Sequence, residues 1–163
     1  MFRAFEWKED HVSYIDQTKL PLEEINIETT DYRVIADDIK RLALRGAPLI
    51  GISAAFGVYL GAYEYRNLKD IEFTKYFYEV CNHLASTRPT AQNLFWAIDK
   101  MKSVYEANCN SDRDVILNRL KEEAVDILAS DIKTCDLIGS FGNELVPRNA
   151  AIITHCNAGL LAV

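Results

Sequence analysis

The order of apolar and polar residues along the chain changes its period twice. Short runs rich in β-branched and aromatic residues alternate with polar turns at residues 3–7, 11–16 and 23–27, which is typical of β-strands. From Asp31 onward the apolar residues recur at helical spacing, and this predicts helices as far as about residue 145. A short apolar run at 150–154 then indicates one further buried strand.

Five helices are predicted between the sheet and the last strand. Proline in a first helical turn loses no hydrogen bond, so Pro48 fits the start of the second helix. The uncharged stretch 47–63 is barely long enough to span a membrane. Its proline and glycines favour a buried helix against which neighbours pack closely. The fifth helix is expected to face the core as far as Ile132, Cys135 and Ile138. The predicted helices are 31–44, 48–66, 71–85, one that Thr90 caps, and one that Ser111 or Asp112 caps.

These elements predict an α+β fold. A small N-terminal antiparallel sheet lies beside a helical bundle, and the chain then enters the first strand of an unfinished α/β domain. A lone buried strand without nearby partners is unusual in a finished domain. We therefore divide the chain into residues 1–147 and 148–163.

The composition is that of an ordinary globular protein. Of the 163 residues, 49% are hydrophobic and 26% are charged, which is too apolar for a disordered segment. The net charge is −6 and the pI is about 5.1, whereas nucleic-acid-binding domains usually carry a basic face. We therefore expect no nucleic-acid partner, and any bound anion must be held by a few local arginines.

Four cysteines lie far apart along the chain, with no CxxC pair. The N-terminus does not resemble a secretory leader, so we expect free thiols in the cytoplasm and no membrane attachment. The three histidines do not pair with cysteines at a zinc-ligand spacing, and no metal site is predicted. Cys81, Cys109 and Cys135 fall within helical patterns and are expected in the core.

Three segments could carry chemistry. Arg45-Gly46-Ala47 and Arg88 each stand beside a predicted helix start, where unpaired N–H groups and the helix dipole attract anions. Arginines near helix starts are also often only surface residues. Cys156 directly follows the predicted strand, where open α/β sheets bind ligands. A free cysteine, however, is often buried and inert.

Four motifs, taken in order, resemble those of the methylthioribose-1-phosphate isomerase family. They run from Asp16 to Pro21, from Arg45 to Gly51, from Arg88 to Trp96 and from Thr154 to Gly159. The resemblance implies a sheet-and-helix domain followed by a Rossmann-like domain. It also implies that 5-methylthioribose 1-phosphate is converted to the ribulose phosphate in methionine salvage, without a cofactor, by a homodimer. Arg45, Gly46, Ala47 and Arg88 map to substrate contacts, and Cys156 maps to the catalytic cysteine.

The chain is only about half as long as the members of this family. The family's catalytic aspartate would lie beyond Val163, so the 163-residue chain is expected to be inactive by itself. Isomerases of 5-deoxyribose 1-phosphate or ribose 1,5-bisphosphate are alternatives. Another alternative is a non-enzymatic regulatory subunit like those of initiation factor 2B. Cys156 argues against the regulatory subunit, and Pro48 argues against the bisphosphate enzyme.

Overall fold

The computed structural model describes residues 3–155 and 159–162. Three antiparallel strands form a sheet in the order β1-β2-β3. They are β1 (Phe5–Lys8), β2 (His11–Ile15) and β3 (Asn26–Thr29). The third strand begins later than its predicted range, 23–27, because residues 16–25 form a turn-rich loop that the apolar pattern does not distinguish from a strand.

Five helices follow the sheet: α1 (Tyr32–Lys40), α2 (Ala47–Glu64), α3 (Asp70–Ser86), α4 (Gln92–Asn108) and α5 (Arg113–Leu145). The Asp31 side chain caps α1 by accepting a hydrogen bond from the Arg33 N–H at 2.8 Å. The first residue before α4 is Ala91, not the predicted Thr90, and Asp112 precedes α5 as expected. The α+β architecture predicted from the sequence is confirmed.

Helix α2 is the centre of the bundle. It packs against α1, α3, α4 and α5, and its Phe56 contacts Phe5 of the sheet at a ring-centroid distance of 5.4 Å. Close packing of its glycines is confirmed at Gly61, where a methyl group would lie 2.5 Å from Val80 Cγ1 of α3. Within the described residues, no helix is both long and apolar enough to cross a membrane.

The second half of α5 does not pack as the sequence predicts. A helix of 33 residues extends about 50 Å, whereas the 18 residues of α2 extend about 27 Å. The last buried residue of α5 is Ile127. Of the residues expected to face inward, Ile138 is 66% exposed and Cys135 is exposed. Cys109, also expected in the core, is exposed after the end of α4, whereas Cys81 is buried.

The predicted strand at 150–154 does not form in this chain. Residues 148–155 form neither helix nor strand, and Ile153 is 97% exposed. A strand requires a hydrogen-bonded neighbour, and the described residues offer none to this segment. The chain then returns to the bundle, since residues 159–162 contact the start of α2.

Candidate functional site

The candidate site lies around the first turn of α2. Gly46 precedes this helix with φ of 109°, a conformation that side chains other than hydrogen rarely adopt. A methyl group at Gly46 would also lie 2.9 Å from the Ala162 Cα. Glycine therefore allows both the turn of the chain and the close approach of residues 159–162.

Two N–H groups at the start of α2 differ in their surroundings. The Leu49 N–H donates to the carbonyl oxygen of Ala162 at 3.1 Å. The Ala47 N–H has no hydrogen-bond acceptor among the residues that the structure describes, as is usual for the first residue of a helix. The positive end of the α2 dipole thus remains available to an anion beside Ala47.

Arg45 is held at this helix start by Gln17. Arg45 Nε donates to Gln17 Oε1 at 3.2 Å, and Arg45 Nη2 donates to the backbone oxygen of Gln17 at 3.3 Å. Arg45 Nη1 has no partner within residues 3–155 and 159–162. In the same residues no carboxylate lies within ion-pair distance of Arg45. The guanidinium is therefore oriented, and no carboxylate of the described residues neutralises its charge.

Arg88 occupies the turn before α4 and is half-buried. Its guanidinium forms neither a hydrogen bond nor an ion pair with any residue in the described part of the chain. Other arginines of the chain do pair with carboxylates, as the arginines at positions 33, 41, 113 and 119 show. Arg45 and Arg88 share the lack of a described carboxylate partner with the arginines at positions 3, 66 and 148, but these two stand beside the starts of long helices.

The N-terminal ends of α2 and α4 are in contact. A methyl group at Gly51 would lie 2.9 Å from the backbone oxygen of Asn93, so the two helix starts lie on the same side of the bundle. Pro48, Asn93 and the 55% exposed Trp96 line a cleft of about 110 Å³ between them. Asp131 of α5 also lines the cleft, and burial raises the pKa of its carboxyl group.

A polar network of two buried aspartates and the partly exposed Arg41 fixes the loop that carries Gln17. Arg41 donates to Asp38 Oδ1 at 2.6 Å and to Asp16 Oδ2 at 2.8 Å, and Tyr14 donates to Asp38 Oδ2 at 2.5 Å. Burial would raise the pKa of Asp16, but hydrogen bonds from Thr18 and Arg41 outweigh this and lower the pKa. Burial and the bond to Asp38 raise the pKa of Tyr14. Asp16 is therefore a fixed, charged anchor beside Gln17.

The predicted site residues are only partly brought together by the described structure. Arg45, Gly46 and Ala47 form one turn, and Arg88 lies at the neighbouring helix start. Cys156 lies outside the described residues. Sequence reasoning assigned no role to Gln17, Leu161 or Ala162, although Gln17 belongs to one of the motifs. No group of three potential metal ligands occurs in the part of the chain that the structure covers.

The family model of the initiation factor 2 subunit family matches residues 43–163, which include Arg45, Arg88 and the C-terminal segment. The chain belongs to this family. Its relatives include the methylthioribose-1-phosphate isomerase of Geobacter metallireducens, which is 47% identical over 99% of this chain. The one from Carboxydothermus hydrogenoformans is 44% identical over 96% of the chain.

Two solved structures of this family share the fold. The crystal structure of 5-methylthioribose 1-phosphate isomerase from Pyrococcus horikoshii superposes with a TM-score of 0.92 at 36% identity. The delta subunit of translation initiation factor eIF-2B from A. fulgidus superposes with a TM-score of 0.86 at 34% identity. Each match covers 99% of this chain and 45% or 47% of the other chain. The chain spans about 46% of the length of its Geobacter relative.

Proposed function

We propose that the full-length protein is an aldose–ketose isomerase that converts 5-methylthioribose 1-phosphate to 5-methylthioribulose 1-phosphate. The observation that carries this proposal is the fixed orientation and the free charge of the Arg45 guanidinium among the described residues. It is oriented by Gln17, beside the Ala47 N–H and the positive end of α2, and no described carboxylate neutralises it. Such a site suits a phosphate group. The names of relatives that match nearly the whole chain support the same substrate.

In this proposal Arg45, the Ala47 N–H and Arg88 bind the substrate phosphate. Phosphate on C1 blocks simple ring opening, so a protonated acid must release the ring oxygen while hydrogen moves from C2 to C1. The reaction is an internal rearrangement and consumes no oxidant or reductant. We assign the acid–base role to Cys156, which follows the exposed segment 148–155 and precedes the segment that contacts α2.

The second half of α5 supports a two-domain organisation. We propose that residues 148–163 begin a second, Rossmann-like domain, which covers the exposed apolar side chains of this half-helix: Leu137, Ile138, Phe141 and Leu145. Exposed apolar patches of this kind usually mark an interface. The exposed thiol of Cys135 tests the proposal, since it should alkylate quickly in this chain and slowly in the full-length protein. Equal rates would argue against a covering domain.

We also propose that the full-length protein is a homodimer that acts in the cytoplasm. The free thiols of Cys81, Cys109 and Cys135 suit a reducing compartment and support the cytoplasm, and the homodimer rests on the resemblance to the isomerase family alone. Light scattering of the full-length protein would test the dimer, and a monomer at assay concentration would refute it.

A chimera tests the proposed reaction. Residues 1–163 would be joined to the C-terminal part of the Geobacter metallireducens relative, beyond the half that matches this chain. We expect isomerase activity in the chimera and its loss in the Cys156→Ser variant, with substrate binding nearly intact, because the serine hydroxyl does not ionise near neutral pH. Cys109→Ser, an exposed thiol at the end of α4, is the matched control and should remain active.

The same assay distinguishes the isomerase proposal from the alternative, which is a non-enzymatic regulatory subunit. Its support is the likeness to the delta subunit of eIF-2B from A. fulgidus. A folded but inactive chimera, beside an active Geobacter enzyme, would favour the regulatory subunit. Near-normal turnover in Cys156→Ser would remove the cysteine from the mechanism.

A further inference from the structure

Gln17 has an unusual position for a polar side chain. It is 1% exposed, yet its amide hydrogen-bonds to two distant parts of the chain. Gln17 Nε2 donates to the backbone oxygen of Leu161 at 2.8 Å and to that of Arg45 at 3.2 Å. Its Oε1 accepts from Arg45 Nε at 3.2 Å. Both N–H groups and the oxygen of the amide are therefore used.

No other side chain of this size offers the same set of bonds. Glutamate has no N–H to donate to the two carbonyl oxygens, and lysine cannot accept the bond from Arg45. Burial makes every bond consequential, since an unpaired buried donor or acceptor is costly. The Gln17 backbone is itself fixed, because its N–H donates to the Ala43 oxygen at 3.1 Å and the adjacent Asp16 is anchored by Arg41.

The bond to Leu161 joins the cysteine-bearing segment to the phosphate site. Cys156 and Leu161 belong to the same short C-terminal segment. That segment is attached at two points, through Leu161 to Gln17 in the loop after β2 and through Ala162 to the Leu49 N–H at the start of α2. The side chain that orients Arg45 is thus the one that also holds the segment following Cys156.

We propose that Gln17 is a positioning residue that fixes the position of Arg45 relative to the segment 159–162. Its functional meaning rests on the isomerase function proposed above, in which Arg45 binds phosphate and Cys156 reacts. In this proposal Gln17 contacts Arg45 and Leu161 and does not contact the substrate. It fixes the arginine from one side of its amide and the cysteine-bearing segment from the other.

The two sides of the amide can be tested separately in the 163-residue chain by NMR. In Gln17→Glu the acceptor for Arg45 remains and both donors are lost. We expect the Arg45 Nε–H signal to persist, while the Leu49 amide exchanges at least about tenfold faster because Ala162 is released. In Gln17→Leu both the arginine signal and the Leu49 protection should be lost. If the leucine variant does not fold, the glutamate variant still decides.

Ser53→Ala is the matched control. Ser53 is also fully buried and donates to the Leu49 oxygen from within α2, but its side chain forms no hydrogen bond to residues 159–162. The Ser53→Ala variant should show faster amide hydrogen exchange throughout α2, without a selective effect at the Leu49 amide. Unchanged Leu49 exchange in both Gln17 variants, or equal loss in the Ser53 variant, would overturn the proposal.

Kinetic measurements on the chimera test whether the hydrogen bonds of Gln17 matter for catalysis. Gln17→Glu should lower kcat by at least about tenfold because the cysteine-bearing segment moves, and it should also raise KM because the new carboxylate lies beside Arg45 and partly neutralises its charge. An unchanged kcat would refute the positioning role. An inactive parent chimera would refute the proposed function alone, since the NMR result does not depend on substrate.

Discussion

The packing of α2 against α3 makes a quantitative prediction at Gly61. A methyl group there would lie 2.5 Å from Val80 Cγ1, 2.8 Å from Cγ2 and 3.2 Å from Cβ. Val80 is 1% exposed and β-branched, so it has essentially one rotamer in a helix and cannot turn aside. Gly61→Ala therefore forces the two helices apart.

The expected magnitude is the difference of two effects. Overpacking a core typically costs about 1–3 kcal/mol, and alanine is favoured over glycine in a helix by about 0.8–1.0 kcal/mol. Since the clash involves three atoms of a rigid side chain, we expect the upper part of the first range. Gly61→Ala should lower the free energy of unfolding by about 1–2 kcal/mol.

Two other helical glycines provide graded controls. At Gly57 a methyl group would lie 3.2 Å from the flexible end of Leu84 and in ordinary contact, at 3.7 Å, with Ile35 Cγ2, so the two effects should nearly cancel. At Gly142 a methyl group would meet no described atom within 4 Å outside the adjoining helix backbone, and alanine should be neutral or stabilising by up to about 1 kcal/mol.

Urea denaturation followed by circular dichroism would measure all three variants and Gly61→Ala in a Val80→Ala background. If Gly61→Ala lowers the free energy of unfolding less in the Val80→Ala background, the clash is with the Val80 side chain. If Gly61→Ala proves as harmless as Gly142→Ala, the close approach of α2 and α3 is wrong.

Three further predictions concern charges and thiols. In the chimera, Arg88→Ala should weaken substrate binding by about 1.5–3 kcal/mol without loss of stability. The exposed Arg119→Ala should have no effect, and unaltered kinetic constants for Arg88→Ala would end the claim. Burial raises the pKa of Cys81 to about 12, so its thiol should resist alkylation in the folded chain while the exposed Cys109 reacts; a fast Cys81 would contradict its burial. The lowered pKa of Asp16 stabilises the fold above the ordinary carboxyl pKa of about 3.9 and ceases to do so as pH falls through the folded value. Urea titrations between about pH 5 and 2 should therefore show a steeper loss of stability in the parent than in Asp16→Asn, and parallel curves would refute this.

Local periodicity predicted most of the fold because most of its elements bury one face. It could not predict where burial ends along an element. Helix α5 keeps an apolar spacing beyond Ile127, but α2 does not extend far enough to cover it. The same limit applies to residues 150–154, whose apolar character predicts a strand although strand formation requires a partner.

The candidate site shows a different limit. Arg45 and Arg88 could be selected from the sequence because an arginine beside a helix start has a local physical meaning. The bond between Gln17 and Leu161 joins residues 144 positions apart, and no local pattern indicates such a contact. The only sequence signal for Gln17 was its place in the first of four motifs. The structure explains why the first motif accompanies the others. It supplies the Gln17 amide, which hydrogen-bonds to Arg45 of the second motif and to Leu161, just after the fourth motif. A motif without chemistry of its own can therefore belong to a site because it holds the chemistry of the others in place.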